Sequence, residues 1–427
     1  MENLIKNFDK LATTENRKLA LSIAEAGLVA INTENVIINS VKLQDNILSV
    51  LGESFDLSKF KKIKVVGFGK ASIDAARALE EILGSKITEG AVIGLHKTNL
   101  KYIETFEGTH PKPSHANVIA GKKIYEIVEN SSEEDLVIVL VSGGGSALLC
   151  YSDEECAQGI KFYDEFLKAG KTIEELNTVR KHLSILKGGG LAKIAFPATV
   201  IGLVFSDIPG NHFEDVSSGP TYKDRSTVLD AEKIINESGL GRFDLLETIK
   251  EDKYFEKVHN FALVSNITAV EAMDKKAKEL GLKTDIISTD LYDEISSAVK
   301  KIFSEKKENS VILAAGEPSI HVSVKGGKGG RNLHMGLQAI KMLTINKKDF
   351  QDSVFISLAS DGMDNSDVAG AVVDISTLEK AEKLNLNADD YLARFDSYNF
   401  FQKTGDLIMT GPTGANVSDL MILLTKK

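Results

Sequence analysis

LVIVLVSGGGSALL, residues 136–149, carries an unbroken apolar run straight into three glycines flanked by serines. A segment apolar on both faces is one covered by helices on both sides, the position of a parallel strand inside an α/β sheet. The residues just past the run matter as much. Without Cβ atoms, Gly143, Gly144 and Gly145 can turn backbone N–H groups toward one point, and Ser146 stands where it can cap the next helix. The pattern is either a cradle for phosphate or carboxylate, or a tight strand-to-helix turn that holds nothing.

Working outward, KVVGFG (64–69), AVIGL (91–95) and TVIGLVFSD (199–207) repeat the short apolar run that ends in Gly, Ser or Asp. Between them, residues 71–83 and 117–130 place apolar side chains at three- and four-residue spacing, the period of a helix. The alternation predicts a Rossmann-like, doubly wound α/β domain. Past residue 220 a charged helical stretch begins, DAEKIINESGLGRFDLLETIKEDKYFEKV (230–258). Strand-like runs then resume at FALVSN (261–266), TDIIST (284–289), SVILAAGE (310–317), SIHVSV (319–324), VFISLASDG (354–362) and DLMILLT (419–425). The expected organisation is an N-terminal Rossmann-like domain over 1–240 and a second α/β domain over 241–427, with the active site in the cleft between them.

Composition narrows the function. Over 427 residues the formal net charge is −10, which argues against a general nucleic-acid binder, since phosphate-backbone affinity needs clustered Lys and Arg. Only Cys150 and Cys156 are present, too few for a disulfide framework and without the companions of a zinc site, so both are expected as free thiols. The start has no basic segment leading into an apolar one, and no run of eighteen apolar residues occurs, so neither export nor membrane insertion is expected and the cytoplasm is the default.

Ligands of open α/β sheets bind at the carboxyl ends of strands. There, besides SGGGSALL, lies GFGKAS (67–72), in which Gly67 and Gly69 match the first glycines of a dinucleotide turn and Ser72 replaces the third. The second strand leads into His96 and Lys97 rather than an acid, which disfavours NAD. Lys70 stands at the mouth of the turn, where an ammonium meets a phosphoryl group or carboxylate, or is merely solvated. GGKGGRN (326–332) sets four glycines ahead of Arg331, whose planar fork suits phosphate; the alternative is a flexible turn. No GxxxxGK[ST] occurs, so an ordinary P-loop is absent. FSDIPG (205–210), AAGEP (314–318) and SDGMDNSD (360–367) offer Asp207, Glu317 and Asp361 as metal ligands, proton acceptors or caps. Arg180, Lys181 and His182 lie in a basic tract, NTVRKHLSILKGG (177–189), that reads as a helix whose charges either attract an anionic substrate or merely solvate a face, and His110 and His115 in GTHPKPSH read as loop residues.

Taken in order, GFGKAS, GTHPKPS (108–114), SGGGSALL, LNTVRKHLSILKGGGLA (176–192), SDIPG (206–210), SSGPT (217–221), GEP (316–318), GGKGGRN, SDGMDNSDVAGAVVD (360–374) and TGPTGANVSDLMI (410–422) resemble the motifs of the class II glycerate kinases. Those chains have an N-terminal Rossmann-like domain and a C-terminal domain of the MOFRL type. The resemblance, which extends over nearly the whole chain, implies ATP-dependent phosphorylation of D-glycerate, to 2-phosphoglycerate, or of a close sugar acid. It implies that Lys70 and Arg331 act on the substrate and the phosphoryl group and that Asp207 is the metal ligand or base. On that reading Ser142, Gly143, Gly144, Gly145 and Ser146, with Gly329, Gly330 and Asn332, hold the anionic groups of ATP, and Asp207 with Glu317 organises Mg²⁺. Asn211, Leu333, His334 and Ala415 depart from the family pattern and leave the exact acid open. The competing reading is an NADP-linked hydroxypyruvate reductase, supported by Lys97. Which hydroxyl is phosphorylated and the oligomeric state, a homodimer included, stay open.

Overall fold

The computed structural model describes residues 3–169, 173–208, 212–322 and 326–427. The chain forms two compact units, Thr33–Leu263 and Met1–Asn32 with Val264–Lys427.

The unit Thr33–Leu263 opens with an antiparallel meander of β1 (Val41–Gln44), β2 (Ile47–Val50) and β3 (Glu53–Asp56). Its main sheet holds β4 (Lys62–Phe68), β5 (Glu89–Gly94), β6 (Glu104–Glu107), β7 (Asp135–Ser142), β8 (Thr199–Phe205) and β9 (Val258–Val264), in the spatial order β6-β5-β4-β7-β8-β9. The pairs from β6 through to β8 are parallel. Numbered within the sheet, that is the order 3-2-1-4-5-6 of a doubly wound dinucleotide-binding fold, so the Rossmann-like expectation holds. Every residue of β7 is buried. Val137, Val139 and Val141 pack with Ala120 and Ile124 of the helix His115–Glu129, each fully buried aliphatic side chain contributing about 1.5–3 kcal/mol relative to exposure. In such a sheet, chain order reverses between the first and fourth strands, here β4 and β7, and the crevice outside their carboxyl ends is where a ligand fits. GFGK and SGGG are the two segments that leave those ends.

The second unit is built on β10 (Lys283–Leu291), β11 (Ser310–Gly316), β12 (Ser353–Ala359), β13 (Gly370–Val373), β14 (Leu407–Ile408) and β15 (Asp419–Thr425), in the order β10-β11-β15-β12-β13-β14. β10 and β11 are parallel, and β15 runs antiparallel between β11 and β12, which places Asp419 opposite both Gly316 and Ala359. The insertion of this last strand into the sheet centre brings an acid from the end of the chain to the carboxyl ends of β11 and β12.

Three expectations need correction. The first 32 residues belong with Val264–Lys427, so the division differs from a cut at 240/241. The helix Glu15–Ile31 packs on Asn266–Glu279, where a Cβ on Gly27 would lie 2.8 Å from Met273 Cγ. Arg17 on that helix is fully buried and donates to Asp374 at 2.7 Å and Asp406 at 2.8 Å. The charged stretch 230–258 is α-helical only through Val228–Glu237, after which glycines 239 and 241 adopt left-handed φ of 65° and 80° and a single 3-10 turn follows over Asp252–Tyr254. SIHVSV makes no strand over 319–322, only a single bridge between Ser319 and Glu294, and Ser323 and Val324 lie outside the described residues. Among the described residues no single helix is long and apolar enough to cross a membrane.

Candidate active site

At the β4/β7 switch the two turns are stitched together by backbone. Lys70 N–H donates to the Gly143 carbonyl at 2.9 Å, and Ala71 N–H donates to Ser142 Oγ at 3.1 Å. Ser217 Oγ, from SSGPT, donates to the Ser142 carbonyl at 2.7 Å. Close approach dictates the glycines. A Cβ on Gly69, whose φ is 118°, would lie 2.2 Å from the Ser142 carbonyl, and one on Gly143 would lie 1.9 Å from Asp207 Oδ2. Asp207, leaving β8, thus presses its carboxylate against the glycine turn. The loop of GTHPKPS is pinned over the same turn by Asn117, whose Oδ1 accepts from Thr109 N–H at 3.0 Å and whose Nδ2 donates to the Ala147 carbonyl at 3.1 Å. That brings His110 and the Lys70 side chain to the same face of Gly144, on which a Cβ would lie 3.1 Å from His110 Cδ2 and 3.2 Å from Lys70 Cγ.

The cations around this turn divide into two kinds. Lys181 is taken up by Asp215 at 2.9 Å and Asp224 at 3.1 Å, and Lys187 by Glu155 at 2.8 Å. By contrast, the Lys70 ammonium and the Arg180 guanidinium have no hydrogen-bond or carboxylate partner among the described residues, and both are half-buried. Burial lowers the Arg180 pKa to about 10 against the opposing influence of Tyr163. His110 is exposed on one side, yet its desolvated contacts and the charges of Lys70 and Arg180 hold its pKa down to about 4, so the ring is neutral at physiological pH. Two cations unpaired among the described residues, with a glycine turn and a strand-end carboxylate nearby, could accept an anion with more than one charged group.

The other unit treats its arginine differently. Arg331 is the first residue of the helix Arg331–Ile345. Its Nε donates to Asp419, and its terminal nitrogens reach Glu317 at 3.2 and 3.3 Å. Asp364, buried, accepts from the N–H groups of Asn332 at 3.0 Å and Leu333 at 2.7 Å, capping the positive end of the helix. Burial pushes Asp419 up to about 7, with Arg331 and Asn332 opposing and the neighbouring Asp364 and Glu317 adding to the rise; against its own burial, Asp419 and Glu317 hold the Arg331 pKa above its usual value.

Several expected site residues are thereby re-placed. Ser142 is buried as a latch between the turns and offers its hydroxyl to Ala71 rather than to solvent. Asn332 is wholly buried: its Nδ2 donates to Asp419 at 2.8 Å and its Oδ1 accepts from Ser357 at 2.6 Å, which leaves no group for a cofactor. A Cβ on Gly329 would lie 2.3 Å from Ser397 Oγ and one on Gly330 2.3 Å from Asp364 Oδ1, so packing alone accounts for both glycines. Glu317 and Asp207 fall in different units, and Glu317 faces a guanidinium. Asp361 accepts from Met363 N–H as a turn cap, and His115 is the first residue of a helix rather than a loop residue. Among the described residues no three His, Cys, Asp or Glu side chains cluster as a metal cage. Cys150 and Cys156 are buried free thiols, and burial raises the pKa of each. Sequence patterning does not single out Asp364, Asp419 or Ser217, nor the roles of His110 and Arg180; the only signal for Asp419 is an acid opening an otherwise apolar strand.

A family described as a domain of unknown function, DUF4147, matches residues 19–250, and the MOFRL family matches residues 310–419. A glycerate 2-kinase from Pyrococcus horikoshii is 34% identical, with 96% of this chain and 97% of the relative covered. A D-glycerate 2-kinase from Thermotoga maritima is also 34% identical, covering 84% of this chain and 90% of the relative. The chain belongs to the glycerate 2-kinase family. Its fold agrees with the crystal structure of a glycerate kinase from Thermotoga maritima at a TM-score of 0.84 and 31% identity, over 96% of this chain and 99% of that one. Within this glycerate 2-kinase family chain, the departures at Leu333 and His334 turn out to be interior: Leu333 is fully buried and His334 stacks on Phe395 with ring centroids 5.5 Å apart. Ala415 is buried as well, and Asn211, with Pro209 and Gly210, lies outside the described residues.

Proposed function

We propose that this chain phosphorylates D-glycerate at its 2-hydroxyl with ATP as donor. The observation that carries the reading is the β4/β7 crevice, where, among the described residues, Lys70 and Arg180 have no carboxylate partners and the Gly143–Gly145 turn meets Asp207. A phosphoryl transfer asks little covalent chemistry of a protein; it asks for in-line placement and for positive charge over the transferred group. Lys70 supplies that charge. The backbone of Gly143, Gly144 and Gly145 and the Ser146 hydroxyl receive anionic oxygens. Arg331, held in one orientation by Asp419 and Glu317, is the second cation of the reaction.

Magnesium is held in such enzymes by one or two carboxylates together with substrate phosphates, not by a full protein cage. The lack of a three-residue cluster among the described residues is compatible with that, and Asp207 is the residue that would hold the ion, which would neutralise phosphate charge. Glu317 is occupied by Arg331 and is dropped from the metal set.

The test is a coupled assay on the full chain. ADP release is expected only when D-glycerate, ATP and Mg²⁺ are all present, and EDTA is expected to stop it reversibly. Oxidation of NADPH with hydroxypyruvate, without ADP release from glycerate, would replace the kinase reading with the reductase one.

A further inference from the structure

Of the basic tract 177–189, two lysines are spoken for by acids, and Arg180 beside them has no acid partner among the described residues. Its guanidinium carbon lies 5.8 Å from the Tyr163 ring centroid, and its side chain lines a small cavity with Pro111, Pro113, Ser146, Ala147 and Leu183. The other charged side chains on that wall, Lys187 and Glu155, neutralise each other at 2.8 Å, so the net charge presented is that of Arg180 alone. A cation kept half-buried without a counter-charge is costly unless something arrives to pair with it.

Size says what arrives. The cavity measures about 30 Å³, and since roughly 10–15 Å³ of such volume holds one water, it takes about two oxygen-sized groups. That fits a carboxylate. A guanidinium fork meets a planar carboxylate with two parallel hydrogen bonds, and the Ser146 hydroxyl, 2.9 Å from Ser218 Oγ, is a third polar group on the same wall. The apolar remainder suits nothing larger or more polar.

We propose that Arg180, with Ser146, takes the carboxylate of the acceptor acid, and so sets the preference for a short hydroxy acid over an uncharged polyol. The inference deepens the kinase reading, on which the identity of the acceptor rests. Lys70 and the glycine turn are left for the phosphoryl group.

The experiment is a calorimetric titration of D-glycerate into the full-length protein, with steady-state kinetics on the same samples, for wild type, Arg180→Met and Arg180→Lys. Arg180→Met is expected to weaken D-glycerate binding and raise its KM by on the order of a hundredfold while the KM for MgATP moves less than about twofold. The preference for D-glycerate over glycerol in kcat/KM should collapse by a similar factor. Arg180→Lys, which keeps the charge and loses the fork, should lose about tenfold, and it carries the test should the methionine variant fail to fold. Unchanged D-glycerate affinity in either folded variant, or a loss confined to MgATP, overturns the inference. Arg180-dependent binding of D-glycerate without ADP release would instead leave this inference standing and defeat the kinase reading.

Discussion

Two glycine-rich turns in this protein each deliver a cation, and they treat it in opposite ways. After β4 and β7 the glycines let the backbone and Asp207 close in while the Lys70 ammonium is left without a partner among the described residues. Ahead of Arg331 the glycines make room for Asp364 and Ser397, and the guanidinium is clamped by Asp419 and Glu317. The same letters, glycines and a basic residue, therefore leave a lysine without a partner among the described residues in one unit and an internally neutralised arginine in the other. An unpaired cation is available to a ligand at once. A clamped one is fixed in direction, and its contribution depends on the acids that hold it.

The contrast is sharpest in what removing Arg331 should do. Arg331→Ala is expected to lower kcat/KM by about a hundredfold or more, the range for losing one preorganised electrostatic partner, and also to cost on the order of 1–3 kcal/mol of stability, because the buried Asp419 loses its cationic partner and keeps only Asn332 as a side-chain donor. Asp419 can take up a proton, since burial already holds its pKa near 7, so the stability loss should shrink at low pH. Asp419→Asn tests the clamp itself: an orientation loss of about tenfold in kcat/KM with Arg331 still present. A variant at Arg331 with normal stability at every pH would show that the acids do not depend on it.

Alanine in the two turns gives a smaller but cleaner separation. At Gly143 the new methyl meets Asp207 Oδ2 at 1.9 Å, and at Gly330 it meets Asp364 Oδ1 at 2.3 Å. Each should cost about 1–3 kcal/mol by overpacking. Gly143→Ala should in addition raise the Mg²⁺ concentration needed for half-maximal rate, whereas Gly330→Ala should leave it unchanged. Equal Mg²⁺ dependence in both would remove Asp207 from the metal role.

Much of the fold is legible in the sequence, and for a physical reason. β4, β5, β7 and β8 are buried on both faces, so each shows as a continuous apolar run, and the glycine turns after β4 and β7 are forced by close approach. Patterning of that kind is local. What escapes it is non-local. That Arg17 pairs with Asp374 and Asp406, and so ties the first long helix to the far end of the chain, is invisible in a short window. So is the insertion of β15 between β11 and β12, which carries Asp419 to Arg331. Within the site, a window on the sequence shows Arg180 and Lys181 as equals; only the positions of Asp215 and Asp224 reveal that one is neutralised and the other is not.

The measurement that bears most directly on the central claim compares wild type with Lys70→Ala by phosphorus NMR of the reaction with D-glycerate, ATP and Mg²⁺. Wild type is expected to yield 2-phosphoglycerate, its phosphorus split by the single proton on C2. Because the Lys70 ammonium has no partner among the described residues to abandon, the variant should melt within about a degree of wild type and form the same product at least about a hundredfold more slowly. A variant that forms the product at the wild-type rate would contradict the account, because the unpaired cation at the β4/β7 switch would then have no part in the transfer.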